Sequence, residues 1–209
     1  MSVWEIIGTM LGVIGVSLMV RQNIWGWPVG LAQVAVYAWV FYGAKLYSDV
    51  ILQGFFFVIQ GYGWWHWLRN KHTAARSELP VTRLGPVALL CWIAVGAGAT
   101  AGWGNYMART TDAALPHWDA FILVFSLIAQ GLQARKKLEN WAGWLVVNTV
   151  AIGVYWAKDL RLTAGLYVIF WLMALWGWRE WRRAVGPAAD RRGRPATGLA
   201  QGSGESFRE

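Results

Sequence analysis

The distribution of charge constrains this chain more than any motif does. Seven stretches run almost free of charge: residues 3–20, 25–44, 48–67, 85–103, 118–133, 141–157 and 162–178. Within them only Glu5, Asp49 and Asp119 are charged, each close to a stretch end. A bilayer core needs about 20 apolar residues to be crossed by a helix, so each stretch reads as a span. Trp and Tyr crowd the stretch ends, where interfacial belts form. Charged residues make up 14% of the chain, whereas a soluble domain carries about 25%. The 17 tryptophans exceed what a soluble interior of this size can bury. A polytopic membrane protein is the reading, and a disordered chain is excluded. Cys91 is alone, so a disulfide scaffold is excluded too. The net charge of +8 sits in the gaps between apolar runs, which argues against a nucleic-acid partner. Residues 3–20 lack a basic leader and are followed by Arg21, so they read as a first span rather than a signal peptide.

Lys and Arg counts set the expected orientation. Arg21, the gap of Arg69, Lys71, Arg76 and Arg83, the run Arg135, Lys136 and Lys137, and seven C-terminal arginines lie on one side. The other side holds Lys45, Arg109, Lys158 and Arg161. The imbalance of 15 to 4 places the N-terminus outside and the C-terminus in the cytoplasm, which needs an odd number of spans.

An internal repeat is visible. Tyr62-Gly63-Trp64-Trp65-His66-Trp67 and the residues after it match the stretch from Trp176-Gly177-Trp178 to Trp181 at a shift of 114. Tyr42-Gly43-Ala44-Lys45 resembles Tyr155-Trp156-Ala157-Lys158, and Trp27 pairs with Trp144 if three residues are gapped. Chance matching of tryptophan clusters is the competing account. The expectation is an all-α membrane protein of seven helices in a 3+1+3 plan. Residues 1–67 form one three-helix bundle, 85–103 an inverting linker helix and 118–181 a second bundle. Parallel repeats of this kind are shared by the SWEET sugar carriers. Residues 184–209 are rich in Gly, Pro and Arg and read as a disordered tail.

Uncharged polar residues within spans are the informative ones, because lipid offers an amide no partner. Trp141, Trp144, Asn148 and Tyr155 share one helical face. They suit a flat heteroaromatic ligand, or equally an interfacial indole pair with a helix-to-helix Asn contact. Gln53, Phe57, Gln60, Trp64 and Trp67 form a second face, for which an aromatic belt is the competing account. At the shift of 114 it meets Tyr167, Trp171, Ala174, Trp178 and Trp181. Ser126, Gln130 and Gln133 form a third stripe, with Gln130 deep enough to line a cavity and Gln133 expected near the headgroups. Gln33 and Tyr37 form a smaller patch. Lys158 either snorkels outward or closes the mouth of a pathway. His66, His72 and His117 have no ligand spacing, so no metal is expected. Phosphate-binding and dinucleotide fingerprints are absent, no catalytic set can be assembled, and no cofactor is expected. Without an ionisable group at mid-membrane, facilitated diffusion is the simpler transport mode.

The stretches Trp27-Pro28-Val29-Gly30 and Tyr37 through Asp49 resemble the PnuC family of bacterial vitamin transporters. So do the Trp-Trp-x-Trp element in Tyr62–Trp67 and the run from Ala134 through Trp141 into Trp144 and Asn148. The resemblance covers roughly residues 23–181. It implies a SWEET-like 3+1+3 fold, often a homotrimer, carrying nicotinamide riboside inward without an ion gradient. A cytoplasmic kinase then traps the nucleoside. Close relatives take thiamine, riboflavin or nucleosides. The resemblance puts Trp141, Trp144 and Asn148 in the substrate site, with Gln130, Gln53 and Gln60 as ribose or carboxamide partners. Tyr155 and Tyr37 join them as candidate contacts. Trp64, Trp67 and Lys158 are expected to be structural or gating residues. The alternatives are a thiamine carrier of the same fold, or a membrane scaffold whose tryptophan faces only pack.

Overall fold

The computed structural model describes residues 3–43, 45, 47–73, 79–112 and 114–185. Helices α1 (Val3–Val20), α2 (Gly26–Gly43), α3 (Tyr47–Thr73), α4 (Pro86–Thr110), α5 (Pro116–Ala134), α6 (Glu139–Ala157) and α7 (Arg161–Ala184) make up almost all of them. Helix α1 coincides with its apolar stretch. Helices α3, α4 and α7 run on past theirs, because intrahelical hydrogen bonding continues after the side chains turn polar. The expected disordered tail lies outside the described residues from 186 onward.

Local chemistry starts and stops these helices. Pro86 and Pro116 open α4 and α5, where the missing N–H costs nothing. Four residues with left-handed backbone lie just past helix ends: Gln22 and Lys136 after α1 and α5, Lys45 and Asp159 after α2 and α6. Taken singly, only α1, α4 and α7 have the length and apolar content of a span. The other four carry glutamines, asparagines and aromatic hydroxyls, and their placement explains why.

Helix α1 packs on α2, α2 on α3, α3 on α5, α5 on α6, α6 on α7, and α7 back on α1. The ring is closed, and α4 lies outside it against α5. Two three-helix groups, α1–α3 and α5–α7, therefore meet along two seams, α3 with α5 and α1 with α7.

At one end of the ring four indoles pack together. Trp27 meets Trp67 edge-on at 5.4 Å and 84°, and Trp141 meets Trp181 at 5.5 Å and 85°. The Trp67 Nε1–H donates to the Ala134 carbonyl at 3.0 Å. The Trp181 Nε1–H donates to the carbonyls of Met19 and Val20 at 3.1 and 3.2 Å. Each indole thus crosses a seam to carbonyls at the last turn of a helix in the other group, beyond the intrahelical ladder; the Met19 carbonyl also accepts the Gln22 N–H at 3.0 Å. The pairs Trp27 and Trp141, Trp67 and Trp181, and Val20 and Ala134 are all separated by 114 positions.

The expected pairing of Trp27 with Trp144 through a gap is corrected here. Trp141 makes Trp27's contacts in the second group, with no gap. Its ring lies on Gly177 as that of Trp27 lies on Gly63. Trp144 only borders the indole cluster, its Nε1–H bonded to Gln133. Two tryptophans three residues apart had offered the sequence match two choices.

The segment entering α4 closes the same end. Val81 is buried among the indoles. Thr82 pairs with the α5–α6 turn through its N–H to the Lys136 carbonyl at 3.1 Å and its carbonyl to the Leu138 N–H at 2.9 Å. The Leu84 N–H donates to Glu139 Oε2 at 2.9 Å.

A methyl group at position 177 would sit 2.5 Å from the Trp141 indole, and one at 63 would overlap the Trp27 ring. Gly177→Ala and Gly63→Ala are each expected to destabilise the protein by about 1–3 kcal/mol through overpacking. Gly98→Ala, at a helical position with open space around it, should be neutral or mildly stabilising. Thermal unfolding in detergent checks all three.

Candidate functional site

The helix ring encloses a cavity of about 1030 Å³. Its walls collect the polar residues that dilute α2, α3, α5 and α6. Gln33 and Tyr37 come from α2, Gln53 and Gln60 from α3, Ser126, Gln130 and Gln133 from α5, and Asn148 and Tyr155 from α6. Burying these amides in lipid would cost several kcal/mol each, and the cavity is where a membrane fold can place them.

All eight residues expected to bind substrate line this cavity: Trp141, Trp144, Asn148, Gln130, Gln53, Gln60, Tyr155 and Tyr37. Their situations differ. Trp141 is 1% exposed and belongs to the indole cluster, so little of its ring is open to a ligand. Trp144, one turn further on, stays partly open, and its Nε1–H donates to Gln133 Oε1 at 2.9 Å. Gln133 is buried in the last turn of α5 and accepts that indole's N–H. Asn148 follows one more turn along α6, at 4% exposure, with the cavity in front of it.

Aromatic side chains form the wall beyond the amides. Tyr155 stacks on Tyr167 at 5.1 Å, and Phe170 meets Tyr167 edge-on at 6.1 Å. Tyr37 stacks on Phe41 at 5.8 Å, and its hydroxyl lies 3.1 Å from the Thr9 hydroxyl. At the end away from the indole cluster, Lys158 Nζ donates to both carboxylate oxygens of Asp119 at 2.8 Å. This pair lines the cavity and ties the start of α5 to the residue after α6. Lys158 therefore faces inward instead of snorkelling to the lipid surface.

The remaining expected residues pack. Trp67 is 4% exposed and sits in the indole cluster; Trp64 packs beside it. Phe57 is half exposed on the outer surface of the ring. Sequence reasoning missed Thr9, Phe41, Phe56 and Phe170, and the contribution of α4 through Trp103, Tyr106 and Met107. A lone apolar or aromatic residue on a span carries no periodic signal that separates lipid from cavity. It also missed two glycines, Gly12 and Gly30, whose lack of a side chain leaves room for Gln33 and Gln60.

The arrangement is suited to one kind of ligand. A large chamber lined by aromatic and aliphatic side chains carries neutral amides in its middle and one compensated ion pair at one end. Indole and phenol faces hold a flat ring, cationic or neutral. Amides match hydroxyl and carboxamide groups. Among the described residues no three His, Cys, Asp or Glu side chains come together as a metal site.

Comparisons with known proteins find similar membrane transporters. The family described as nicotinamide mononucleotide transporter matches residues 2–183. The riboflavin/roseoflavin transporter RibM of Streptomyces davaonensis is 32% identical over 184 residues, covering 86% of this chain and 84% of the relative. The nicotinamide riboside transporter PnuC of Escherichia coli is 26% identical over 201 residues, covering 85% and 84%. The crystal structure of the vitamin B3 transporter PnuC superposes with a TM-score of 0.68 at 25% identity, covering 88% of this chain and 81% of that one.

The Asp119 and Lys158 side chains retain 28% and 26% exposure, so their pairing is screened by solvent. Asp119→Asn is expected to lower stability by no more than about 1 kcal/mol, measured by thermal unfolding. A loss of about 3 kcal/mol or more would mean that Lys158 is held as a buried charge.

Proposed function

The chain belongs to the nicotinamide mononucleotide transporter family, and on that footing we propose that it carries nicotinamide riboside inward by facilitated diffusion. It is a membrane transporter of the vitamin-carrying PnuC type, not an enzyme. The observation that carries the substrate reading is the pairing of the Trp144 indole, fixed by Gln133, with the Asn148 amide one turn away on the same wall.

In this reading the pyridinium ring lies against Trp144. A cation over an indole face gains about 0.5–2 kcal/mol. Asn148, Gln53, Gln60 and Gln130 take the carboxamide and ribose hydroxyls, with Tyr155 and Tyr37 completing the walls. Trp141 shapes the floor. Trp67 and Trp64 belong to the closed end, and Lys158 with Asp119 to the opposite end, as structural or gating elements. The two helix groups rock about the cavity, parting and re-forming the α3–α5 and α1–α7 seams. The charges on the cavity wall, Asp119 and Lys158, neutralise each other at one end, which supports transport without an ion gradient. Phosphorylation in the cytoplasm then prevents return. We place the protein in the bacterial inner membrane as a homotrimer, N-terminus outside and C-terminus cytoplasmic, on the Lys and Arg imbalance and the family resemblance.

A second reading has its own support. The relative at 32% identity is a riboflavin transporter, and a cavity of about 1030 Å³ lies at the upper end of small-molecule sites. Riboflavin is flat and hydroxyl-rich but uncharged, so cation recognition separates the two. Thiamine, also a flat cation, tests the same fold with another substrate.

Calorimetry with purified protein decides among them, using nicotinamide riboside, its mononucleotide, nicotinamide, thiamine, riboflavin and uridine. The expected result is binding of the riboside and not of its phosphorylated form. Preference for riboflavin or thiamine would reassign the substrate, and silence across the panel from folded protein would point to a solute outside it. Asn148→Ala should weaken riboside binding by about 1–3 kcal/mol, the penalty for leaving ligand groups unpaired. Unchanged affinity in that variant would remove Asn148 from the site.

A further inference from the structure

Beside the cavity, the two helix groups differ in which helix carries the large side chain at corresponding positions. In the first group Gln60 of α3 lies over Gly30 of α2. The Gln60 amide oxygen occupies the space a Cβ at position 30 would need, and the amide carbon lies 3.0 Å from that point. Shifting by 114 positions, the spacing that relates the crossed indoles, Gly30 becomes Trp144 and Gln60 becomes Ala174. The large residue has moved from the third helix of its group to the second. All four line the cavity. A similar notch lies between α1 and α2, where the Gln33 amide nitrogen lies 2.8 Å from the Cβ point of Gly12, but without the reversal. The corresponding positions of the second group are Ser126 and Val147.

The consequence is a chamber with a plate on one helix group and an amide on the other. Gln60 is 7% exposed, so its amide has little freedom to find another place at the wall. Its position depends on Gly30 having no side chain. We infer that Gly30 is a positioning residue for substrate selection, holding the Gln60 amide where it hydrogen-bonds the polar part of a ligand whose ring rests on Trp144. Gly30 itself contacts no ligand in this account. The inference rests on the transport reading above and adds the element that orients the substrate within the site. A glycine kept only for close packing of α2 and α3 would act independently of what stands at position 60.

The test is a set of binding titrations with nicotinamide riboside and riboflavin on the parent, Gly30→Ala, Gln60→Ala, the double variant Gly30→Ala/Gln60→Ala, and Gly30→Ala/Gln60→Asn. Thermal unfolding confirms that each is folded. Gly30→Ala and Gln60→Ala should each weaken binding of the recognised ligand roughly tenfold, as expected for one lost hydrogen bond. The double alanine variant should bind no worse than Gln60→Ala, because the methyl group then enters vacated space. Gly30→Ala/Gln60→Asn, with a shorter amide, should recover part of the affinity lost in Gly30→Ala even if the single variant folds poorly. Parent-like binding by Gly30→Ala, or additive losses in the double alanine variant, overturns the inference while leaving the transport reading in place. If the folded parent binds neither ligand, both fall together.

Discussion

The crossed bonds from Trp67 to Ala134 and from Trp181 to Met19 and Val20 hold the two helix groups in register. Past the intrahelical ladder, a turn bond from the Gln22 N–H serves the Met19 carbonyl, while those of Val20 and Ala134 are left to the indoles. An indole N–H arriving from the opposite group meets that need and closes a seam in the same act. The T-shaped packing of Trp27 and Trp141 on these indoles, over Gly63 and Gly177, fills the space beneath them. Two such clasps at one end leave the rest of the ring free to separate into a cavity.

The cavity follows from the same economy of polar groups. Backbone needs are met by the helices and the clasps, so side-chain amides on α2, α3, α5 and α6 gather at the inner wall. The chemistry left in front of a ligand is neutral, aromatic and hydrogen-bonding. Such a site can hold a flat molecule with polar substituents. The Asp119–Lys158 pair keeps the opposite end charged yet nearly neutral overall.

Much of this was legible in the sequence, because a bilayer punishes misplaced charge. The charge-free stretches located every helix, and α1 to the residue. The eight expected site residues all reached the cavity, since a polar or aromatic stripe on a span has few other places to go. Errors arose where tryptophan was ambiguous. Trp141 reads like Trp144 along the chain, yet one is buried in the floor and the other lies on the wall. Gln133, close to Arg135 in the chain, is buried and accepts the Trp144 N–H. The strap through Val81 and Thr82 and the glycine notches at 12 and 30 could not be read. The first depends on a long-range backbone pairing, and the others on which side chain a neighbouring helix presents.

The most direct test of the carrier account is counterflow in proteoliposomes preloaded with unlabelled nicotinamide riboside and given labelled riboside outside, with no ion gradient. The account predicts transient accumulation of label by exchange, unaffected when sodium and proton gradients are collapsed by ionophores. Absence of exchange by folded, reconstituted protein, or uptake that appears only when an ion gradient is imposed, would contradict it.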